Sequence, residues 1–503
     1  MRATQYLAFF VLLLPLHLFG YDTPEANQGA YREARRLESQ GHHYAAALHY
    51  FNSESEHNEE LVGRLTENLS KAKLWNTSSY FFIKTLQTNN KGSIKRVLPF
   101  VPQLMQVVGG DLLRKYILRH TNEGDYDTRT KNHFYYFLGK DNLLKGDTGQ
   151  SLQALSKITS NSLVYPEALY LKGVAQAILG QTKAALESFR RCQKVSDTSD
   201  LEARCTASLA RSYYQAQDFE QAENVYDEIP KSSFVWTDIL FEQAWNAYAK
   251  GDYNRTLGKL VTYRSPNLAF VFNPEVDVLK AQSFYALCLY EDVYKAVQEF
   301  NSSYGNVGLQ IKQFLLTNDQ NLGAFYNLAK EAFRSKLHTQ NLLNRALNRF
   351  IRGPYFANFL QQEKEIKKEA ERIKQLASNE TPHFSSQTFQ EGFGGFLEKI
   401  LNWRSKTIRL LGGLFVKNSM LDLYSDLLAD FDKMSFIKLE MLKHTKQRLQ
   451  SKIAMSEDED GVLKKGKSMI DRKDHQYFWT FNGEFWSDEL GDYVFALESE
   501  CGS

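Results

Sequence analysis

The chain has 503 residues, with 61 lysines and arginines against 59 aspartates and glutamates, and its formal net charge is +2. This near balance creates no global field that would attract nucleic acid or a strongly acidic partner, so we expect no nucleic-acid binding. The length would suit two or three ordinary domains, but it also suits one stack of repeats, whose core grows by addition.

The first twenty residues have the layout of a secretory signal peptide. Arg2 precedes a mainly apolar run from Leu7 to Phe19, and Gly20 comes before a polar segment. The run is shorter than the roughly 20 apolar residues that a membrane span needs, and no cysteine follows it to form a lipoprotein cleavage box. We expect residues 1–20 to be cleaved and the protein to be periplasmic or secreted; an uncleaved anchor is the alternative.

From residue 133 onward the sequence repeats with the period of a helical hairpin. Gly139 and Gly146 recur as Gly173 and Gly180, displaced by 34 residues in both cases. In such a pattern small residues lie where two helices touch closely, and a single hairpin cannot bury its apolar face without neighbours. Small and large residues continue to recur at similar spacings in the units that follow, at Ala210, Ala222, Tyr226, Ala244, Gly251, Thr256 and Leu260.

These positions resemble the tetratricopeptide repeat (TPR) over residues 133–263, with Gly251-Asp252-Tyr253 at a turn and Ala185 before Phe189 on a second helix. Residues 34–51 and 294–300 fit one further unit each, whereas 61–90 and 96–120 fit poorly. The resemblance implies an all-α, TPR-like α-solenoid of six to eight hairpins over residues 24–310, with a groove for a partner. A generic helical domain with accidental spacing is the alternative.

On the family pattern, the groove-facing positions lie one turn after the small residue of each first helix. Asn142, Gln176, Tyr213 and Ala247 hold these positions, and their polar neighbours Arg211 and Asn246 are suited to clamp a backbone or carboxylate. The resemblance therefore implies that a protein or peptide segment binds along these six residues.

After residue 310 the regular spacing of small residues ends, and long helical patterns follow. Residues 311–377 predict a helical extension in which Phe359, Ile366 and Ile373 recur every seven residues, and residues 378–395 predict a flexible linker. Gly412-Gly413 predicts a break in the helical region 396–452. An apolar stripe in that region runs through Ile400, Trp403, Leu410, Leu414, Leu421, Tyr424, Leu428, Phe431, Leu442 and Leu449.

The two long helical regions are typical of a coiled-coil-like pair. We interpret them as an antiparallel hairpin within one chain. Pairing of two chains into a homodimer uses the same pattern, and a membrane-surface helix over residues 393–416 is a third alternative. The charged residues of 453–475 predict a solvated linker.

Residues 476–500 are dense in aromatic side chains. Asn482-Gly483 indicates a tight hairpin, and a turn near Gly491 would add a third strand, so we predict a small β-meander. The meander caps the solenoid, or it forms a platform for glycan or protein. The platform would consist of Trp479, Phe481, Trp486 and Tyr493.

The tail from Phe478 to Tyr493 is similar to that of large exported repeat proteins of gliding and predatory deltaproteobacteria. This resemblance implies an envelope-associated assembly in a Gram-negative bacterium. The four cysteines are Cys192, Cys205, Cys288 and Cys501. Their pairing stays open, and we favour buried free thiols over a disulfide between Cys192 and Cys205.

The sequence holds no spacing that is typical of an active site. It lacks a His-Glu-x-x-His helix, a Gly-x-Ser-x-Gly elbow, a phosphate-binding loop and paired Cys-x-x-Cys. His42-His43 is the only adjacent histidine pair, and a predicted turn explains it. We therefore expect no catalytic residue, cofactor or metal, although distant residues can assemble a site that no motif reveals.

These features predict an exported TPR scaffold for protein–protein interaction, with any membrane contact peripheral. The alternative is a protein that binds cell wall or another glycan through its aromatic tail. A pull-down on purified cell wall, with and without residues 476–503, separates the two functions.

Overall fold

The computed structural model describes residues 27–53, 59–233, 235–335, 341–380, 387–455, 472–479 and 484–501. The predicted signal peptide, the Asn482-Gly483 turn and residues 456–471 of the predicted charged linker lie outside them. The first helices are α1 (Asn27–Gln40), α2 (His43–Asn52), α3 (Glu59–Lys71), α4 (Trp75–Gln87), α5 (Lys91–Val97), α6 (Val101–Val108), α7 (Gly110–His120), α8 (Lys131–Lys145), α9 (Thr148–Ser156), α10 (Tyr165–Ile178) and α11 (Thr182–Val195).

In the described residues, the remaining elements are helices and two short strands. They are α12 (Ser199–Gln215), α13 (Phe219–Asp227), α14 (Trp236–Ala249), α15 (Tyr253–Val261), α16 (Glu275–Ala286), α17 (Tyr290–Thr317), α18 (Leu322–Arg334), α19 (Leu342–Ile351), α20 (Pro354–Glu380), α21 (Gln387–Met455), β1 (Tyr477–Phe478) and β2 (Tyr493–Val494).

Most hairpins turn through one repeated backbone geometry. The N–H of Gly146 bonds to the carbonyl of Leu143, and the N–H of Asp147 bonds to that of Asn142, so the last carbonyls of α8 are satisfied. The residue at the position of Gly146 has a positive φ in each such turn, which glycine adopts without steric cost. These residues are Gly41, Lys73, Gly146, Gly180, Gln217, Gly251 and Cys288.

Small residues on the first helices allow close packing of the second helices. A Cβ on Gly139 would lie 2.5 Å from Cγ of Leu155, and one on Gly173 would lie 2.6 Å from Cε1 of Phe189. The predicted TPR-like α-solenoid is thus confirmed. Hairpins also form where the code fits poorly, as in α3 and α4, and after residue 310, as in α18 and α19.

The chain divides into two compact units. Unit 1 comprises Met1–Cys192 and Ala357–Leu411, and unit 2 comprises Gln193–Phe356 and Gly412–Ser503. Each unit therefore combines repeat hairpins with a part of the long C-terminal helices.

In unit 1, α20 lies across the ends of successive hairpins. The Glu380 carboxylate accepts the N–H of Tyr44 at 3.1 Å, at the start of α2. Glu369 accepts the N–H groups of Asn76 at 2.7 Å and Thr77 at 2.8 Å, at the start of α4. Carboxylates are stabilised there because the first N–H groups of a helix lack intrahelical partners and its dipole is positive.

A buried arginine of α21 completes this attachment. Arg404 donates to the carbonyl of Val108, the last residue of α6, at 2.7 Å and to Gln362 of α20 at 3.2 Å. Burial lowers the pKa of Arg404 to about 10, and the charge of Glu369 acts in the opposite direction. Two buried groups of opposite charge thus join the long helices to the hairpins.

The apolar stripe near the start of α21 packs inside unit 1. Phe393 and Leu397 are fully buried, and the Phe393 ring centroid lies 5.5 Å from that of Tyr44 and 5.2 Å from that of Phe51. The third alternative, a membrane-surface helix over residues 393–416, is not supported, because Phe393 and Leu397 already face the hairpins.

Helix α21 continues through Gly412-Gly413, so the predicted break is wrong. A Cβ on Gly413 would overlap the carbonyl oxygen of Leu322, and glycine is needed there for close packing rather than for a kink. The predicted linker 378–395 is also wrong in extent, since α20 ends at Glu380 and α21 begins at Gln387.

In unit 2, α21 packs as a further first helix would. Lys433 forms an ion pair with Glu275 at the start of α16. The ring centroid of His444 lies 5.9 Å from that of Tyr285 near the end of α16, so α21 and α16 run parallel. The ring centroid of Phe431 lies 4.9 Å from that of Phe300 on α17, and the ring centroid of His444 lies 6.4 Å from that of Tyr290 at the start of α17, so α21 is antiparallel to α17. Helix α14 is likewise antiparallel to α13, since Asn246 contacts Phe219 at the start of α13 and Glu242 contacts Tyr226 near its end, so α21 continues the stack.

The C-terminal tail crosses α15 in unit 2. The Asn254 amide accepts from the N–H of Leu497 at 2.9 Å and donates to its carbonyl at 3.0 Å. Gly491 donates to the Thr262 hydroxyl at 3.1 Å. A Cβ on Gly258 would overlap the carbonyl oxygen of Tyr493, so this extended segment needs a glycine beneath it.

The predicted β-meander does not form in the described part of the tail. β1 and β2 pair in parallel, with Tyr477 opposite Tyr493, whereas a hairpin joins antiparallel strands. Residues 484–486, which follow the predicted hairpin turn, are not in a strand. A long-range pairing, anchored by α15, replaces the local turn that the sequence favours.

The cysteines are all oxidised. Cys288, in the turn between α16 and α17, forms a disulfide with Cys501 of the tail. Cys192 and Cys205 are disulfide-bonded as well, so the expected free thiols are wrong.

Candidate functional site

A row of aromatic side chains lines the first helix α14 of unit 2. The centroid of Phe241 lies 6.4 Å from that of Trp245, which lies 5.5 Å from that of Tyr248; both pairs meet edge to face. The spacing of four and then three residues places the rings on one side of the helix. Tyr253 extends the row at 5.3 Å from Tyr248.

The row is firmly supported from behind and remains partly open to solvent. Ala244 and Leu260 are buried against Phe241, Trp245 and Tyr248, which are themselves half-buried. Side chains held in this way present an apolar surface, and their rotamers are already restricted. Less side-chain entropy is then lost when a partner binds.

An ion pair lies on the adjoining side of α14, which faces α12 and α13. Glu242 accepts from Nε of Arg211 on α12 at 2.8 Å and from its terminal nitrogen at 2.6 Å. The hydroxyl of Tyr226 donates to the same carboxylate at 3.0 Å. Burial raises the pKa of Tyr226, and the charge of Glu242 adds to this shift, so the phenol stays a donor at neutral pH.

Most of the residues predicted to line the groove lie inside the contact between helices. Asn246 is 2% exposed and donates to the carbonyl of Phe219 at 2.9 Å. Gln176 accepts from the Ser188 hydroxyl at 2.6 Å. Asn142 and Ala247 are buried as well, Tyr213 is half-buried, and Arg211 is exposed.

The sequence pattern therefore selects positions next to the more exposed ones. On α14 the buried pair Asn246 and Ala247 lies between Trp245 and Tyr248, which are half-buried. The signal that marks this row in the sequence is the recurrence of Phe241, Trp245 and Tyr248 at helical spacing along one side of α14.

The predicted aromatic platform is divided between core and surface. Tyr493 is 3% exposed, and the Trp479 ring packs against it at 5.0 Å between centroids. Trp486 is exposed, and Phe481 lies outside the described residues. The surface rings of the described tail are therefore Trp486, Tyr477 and Phe478.

In the part of the chain that the structure describes, no group of His, Cys, Asp or Glu side chains is arranged to hold a metal ion. Within the same residues, no helix is both long enough and apolar enough to pass through a membrane.

No known family matches the sequence, and no curated protein does. Among solved structures, the chain is similar to a Rap protein complexed with Competence and Sporulation Factor, at 12% identity and a TM-score of 0.28, over 76% of this chain and 99% of that one. It is also similar to the Rap conjugation gene regulator of plasmid pLS20 in complex with a Phr peptide, at 12% identity and a TM-score of 0.28, over 68% and 97% of the two chains.

A third similar structure is the P58(IPK) TPR domain, at 12% identity and a TM-score of 0.20, over 75% of this chain and 98% of that one. At these identities and scores the likeness carries no argument about function. The turns and helix contacts described above carry the structural conclusion: the hairpins of this chain are TPR-like helical repeats.

Proposed function

We propose that this protein is a scaffold for protein–protein interaction that holds a segment of a partner on the first-helix face of unit 2. The observation that carries the proposal is the row of half-buried rings, Phe241, Trp245 and Tyr248, beside the Arg211–Glu242 pair. Tryptophan, tyrosine and arginine supply most of the binding energy at protein interfaces, because they bury large areas and also make polar contacts.

The chemistry of this face favours a partner with apolar anchor residues. The three rings offer continuous apolar surface, whereas Arg211 is exposed and already engaged by Glu242. An exposed ion pair contributes little energy, so its role is to restrict which charges a partner carries next to its anchors.

Photo-crosslinking tests the face directly. A photoreactive phenylalanine analogue replaces Trp245 in one variant and Tyr248 in another, and it replaces exposed Glu220 on the second helix α13 in a matched control. In the native host we expect a defined crosslinked partner from the α14 positions and none from position 220. Equal crosslinking from all three positions would contradict the proposal.

Quantitative binding then follows with the partner identified by crosslinking. We expect Trp245→Ala to weaken binding by about 2 kcal/mol or more, roughly a 30-fold rise in Kd, because tryptophan anchors have the largest truncation cost. Asn142→Ala serves as a control, since Asn142 is buried in unit 1. Circular dichroism of each variant checks that the helices are retained.

We further propose that this scaffold acts in the bacterial envelope. The signal-like residues 1–20 and the resemblance of the tail to exported repeat proteins support this setting. N-terminal sequencing of the protein from its native host tests it: cleavage near Gly20 and recovery from an exported fraction are expected. An intact Met1 in a cytoplasmic fraction would contradict it.

A second candidate function is glycan binding by the tail. The exposed rings of Tyr477, Phe478 and Trp486 favour it, because exposed aromatic rings can stack on sugar rings. Sedimentation with purified cell wall tests it by comparing the full chain with Trp486→Ala. Tyr294→Ala is the control, since Tyr294 is an exposed aromatic residue on α17. Undiminished sedimentation of Trp486→Ala and of a chain without residues 476–503 would exclude this function.

A further inference from the structure

The last residues of the C-terminal tail are held less firmly than those that precede them. Leu490 and Tyr493 are buried among side chains of α14 and α15. Residues 495–501, which we call the tail end, are half-buried at positions 495–497 and exposed at 498 and 499. The tail end therefore buries little surface of its own to offset the entropy that is lost when the segment is ordered.

The noncovalent contacts of the tail end are mainly backbone hydrogen bonds. The N–H of Phe495 donates to the carbonyl of Asn254 at 3.1 Å, and that of Glu500 donates to the carbonyl of Leu287 at 2.9 Å. The Asn254 amide adds its two bonds to Leu497. Such bonds are exchanged for bonds to water when a segment lifts, so each contributes little net stability. The tail end therefore depends on a further constraint.

The Cys288–Cys501 disulfide supplies that constraint, and it is accessible from solvent. Cys501 is exposed, and Cys288 is half-buried in the turn between α16 and α17. Cys192 and Cys205, which are also in disulfides, are 0% exposed. A small thiol can therefore reach the tail disulfide while the chain is folded, whereas it cannot reach the other two cysteines. Exposed disulfides are the ones that are labile to thiol exchange.

The tail end covers an apolar cluster of unit 2. The members of this leucine cluster are buried residues of α15 and of the turn after α16, and they are Leu257, Leu287 and Leu289. Phe495 and Leu497 of the tail end pack against the leucine cluster, and so does Tyr253. Since Tyr253 also packs against Tyr248, the leucine cluster adjoins the row of rings on α14. The tail end therefore covers apolar surface into which that row would otherwise continue.

We propose that the Cys288–Cys501 disulfide is a redox latch on the tail end. Reduction by a dithiol frees the tail end and uncovers the leucine cluster, which then extends the partner-binding face beyond Tyr253. The extension of the face rests on the function proposed above, whereas the release of the tail end does not. The oxidised chain thus presents a shorter apolar face than the reduced chain.

The exchange needs no reactant other than the dithiol. One thiolate of the dithiol attacks the sulfur of exposed Cys501, and the sulfur of Cys288 leaves with the electron pair of the broken S–S bond. The second thiolate of the dithiol attacks the mixed disulfide, closes a cyclic disulfide and expels the sulfur of Cys501. Two protons pass from the dithiol to the two cysteines, so the dithiol is oxidised by two electrons and the protein disulfide is reduced by two.

Thiol labelling of the folded full chain tests access to the latch. We expect dithiothreitol to free two thiols, at Cys288 and Cys501, at concentrations that leave Cys192 and Cys205 unlabelled. Mass spectrometry of the labelled peptides identifies the positions. Reaction of all four cysteines together, or of none before the chain unfolds, would overturn the proposal.

Amide hydrogen exchange tests the release of the tail end. After selective reduction, we expect the N–H groups of Phe495 and Leu497 to exchange about tenfold faster or more, because local opening then needs no covalent bond to break. The N–H groups of Trp479 and Gly491, which bond to Val494 and Thr262, serve as the control and should be unaffected. Unchanged exchange at Phe495 and Leu497 would contradict the latch.

A variant without the disulfide separates the latch from other effects of the reductant. Cys288→Ser/Cys501→Ser should exchange its tail-end amides as fast as the reduced chain does, and dithiothreitol should change them no further. If dithiothreitol still speeds exchange at Phe495 and Leu497 in this variant, the tail disulfide is not the latch.

Photo-crosslinking with and without dithiothreitol tests the extended face. With a photoreactive phenylalanine analogue in place of Tyr253, we expect the reduced chain to capture more partner than the oxidised chain, while the analogue at Trp245 captures it equally in both states. Equal capture from position 253 in both states, with position 245 still active, would overturn the proposal. Absence of any partner at position 245 contradicts the proposed function itself, and the extension of the face then falls with it.

Discussion

Two C-terminal segments cover repeat hairpins by different chemistry. In unit 1, α20 is a regular helix that reaches the hairpins through carboxylates, as Glu369 and Glu380 bond to N–H groups at the starts of α4 and α2. In unit 2, the tail is extended and follows α15 through backbone bonds, close contact at Gly258 and the Cys288–Cys501 disulfide.

The comparison shows that one repeat architecture offers two kinds of surface to its own chain. Helix starts attract acidic side chains, and this attachment depends on charge and burial. The second helix α15 accepts the extended tail where Gly258 leaves room. This attachment depends on close packing and on the Cys288–Cys501 disulfide. The two attachments should therefore fail under different changes.

The largest effect is expected from Glu369→Ala. The change removes the acceptor for the buried N–H groups of Asn76 and Thr77 and for their buried side chains. We expect a loss of about 3 to 5 kcal/mol in unfolding free energy at pH 7, because buried donors left without an acceptor are costly, measured by urea unfolding and by amide exchange at the start of α4.

Glu365→Ala is the matched control on α20, since Glu365 contacts Lys368 of the same helix at the surface, and its change should stay within about 0.5 kcal/mol. An equal loss from both variants would show that α20 is held by its apolar residues alone.

A smaller effect is expected from Cys501→Ser. The disulfide joins residues 213 positions apart, and loss of a link of this kind typically costs about 2 to 4 kcal/mol. Limited proteolysis should release the tail faster than from the native chain, while cleavage within unit 1 stays the same. A tail that is equally resistant without the disulfide would mean that backbone contacts alone hold it.

Gly258→Ala should weaken the tail by steric overlap. The new Cβ meets the carbonyl of Tyr493, and overpacking of this kind costs about 1 to 3 kcal/mol. Faster tail proteolysis is again the measurement. Gly305→Ala is the control, because its Cβ meets nothing within 4 Å in helix α17, and alanine should add about 0.5 to 1 kcal/mol of stability.

The last prediction concerns how acid affects the attachment of the tail and that of α20, which should respond in opposite directions. Burial raises the pKa of Glu223, but bonds from Lys473 of the tail and Lys250 together outweigh it and lower the pKa to about 2. Stability from this carboxylate is present above its unfolded value of 4.5 and is lost as pH falls from there to about 2. Tail proteolysis should quicken over this window, and Glu223→Gln should remove that dependence.

The opposite sign is expected for α20. Burial raises the pKa of Glu369 against the bonds it accepts from Thr77 and Asn76. Protonation of this group therefore favours the folded form, and its contribution is lost as pH rises through its folded pKa. If amide exchange at the start of α4 quickens on mild acidification, this assignment is wrong.

The sequence predicts the repeat fold well where glycine marks the turns. Gly146, Gly180 and Gly251 predict the turns of three hairpins. Lys73 and Cys288 adopt the same positive φ, although their residue types do not predict it. A non-glycine residue accepts this conformation at a cost of about 1 to 2 kcal/mol, which helix packing offsets. A search for glycine at the turn positions therefore does not find the hairpin of α3 and α4.

The site and the tail are less predictable because neighbouring positions differ only in tertiary contacts. Asn246 is polar and is predicted to bind a partner, yet it bonds to the preceding hairpin, and the adjacent Trp245 is only half-buried. The parallel pairing of β1 with β2 joins distant residues. Its determinants lie on α15, so no local turn signal reveals it.

Asn254 begins the triplet Asn254-Arg255-Thr256, an acceptor for N-linked sugar in hosts that attach it. Both polar atoms of its half-buried amide bond to the backbone of Leu497, so a glycan on that nitrogen would replace one of its two hydrogens and take up space beside the docked tail. Leu497 is translated long after Asn254, and the acceptor stays open meanwhile. Material expressed in a glycosylating cell should consequently hold its C-terminal tail less tightly than material without the glycan, so the choice of expression host affects this contact.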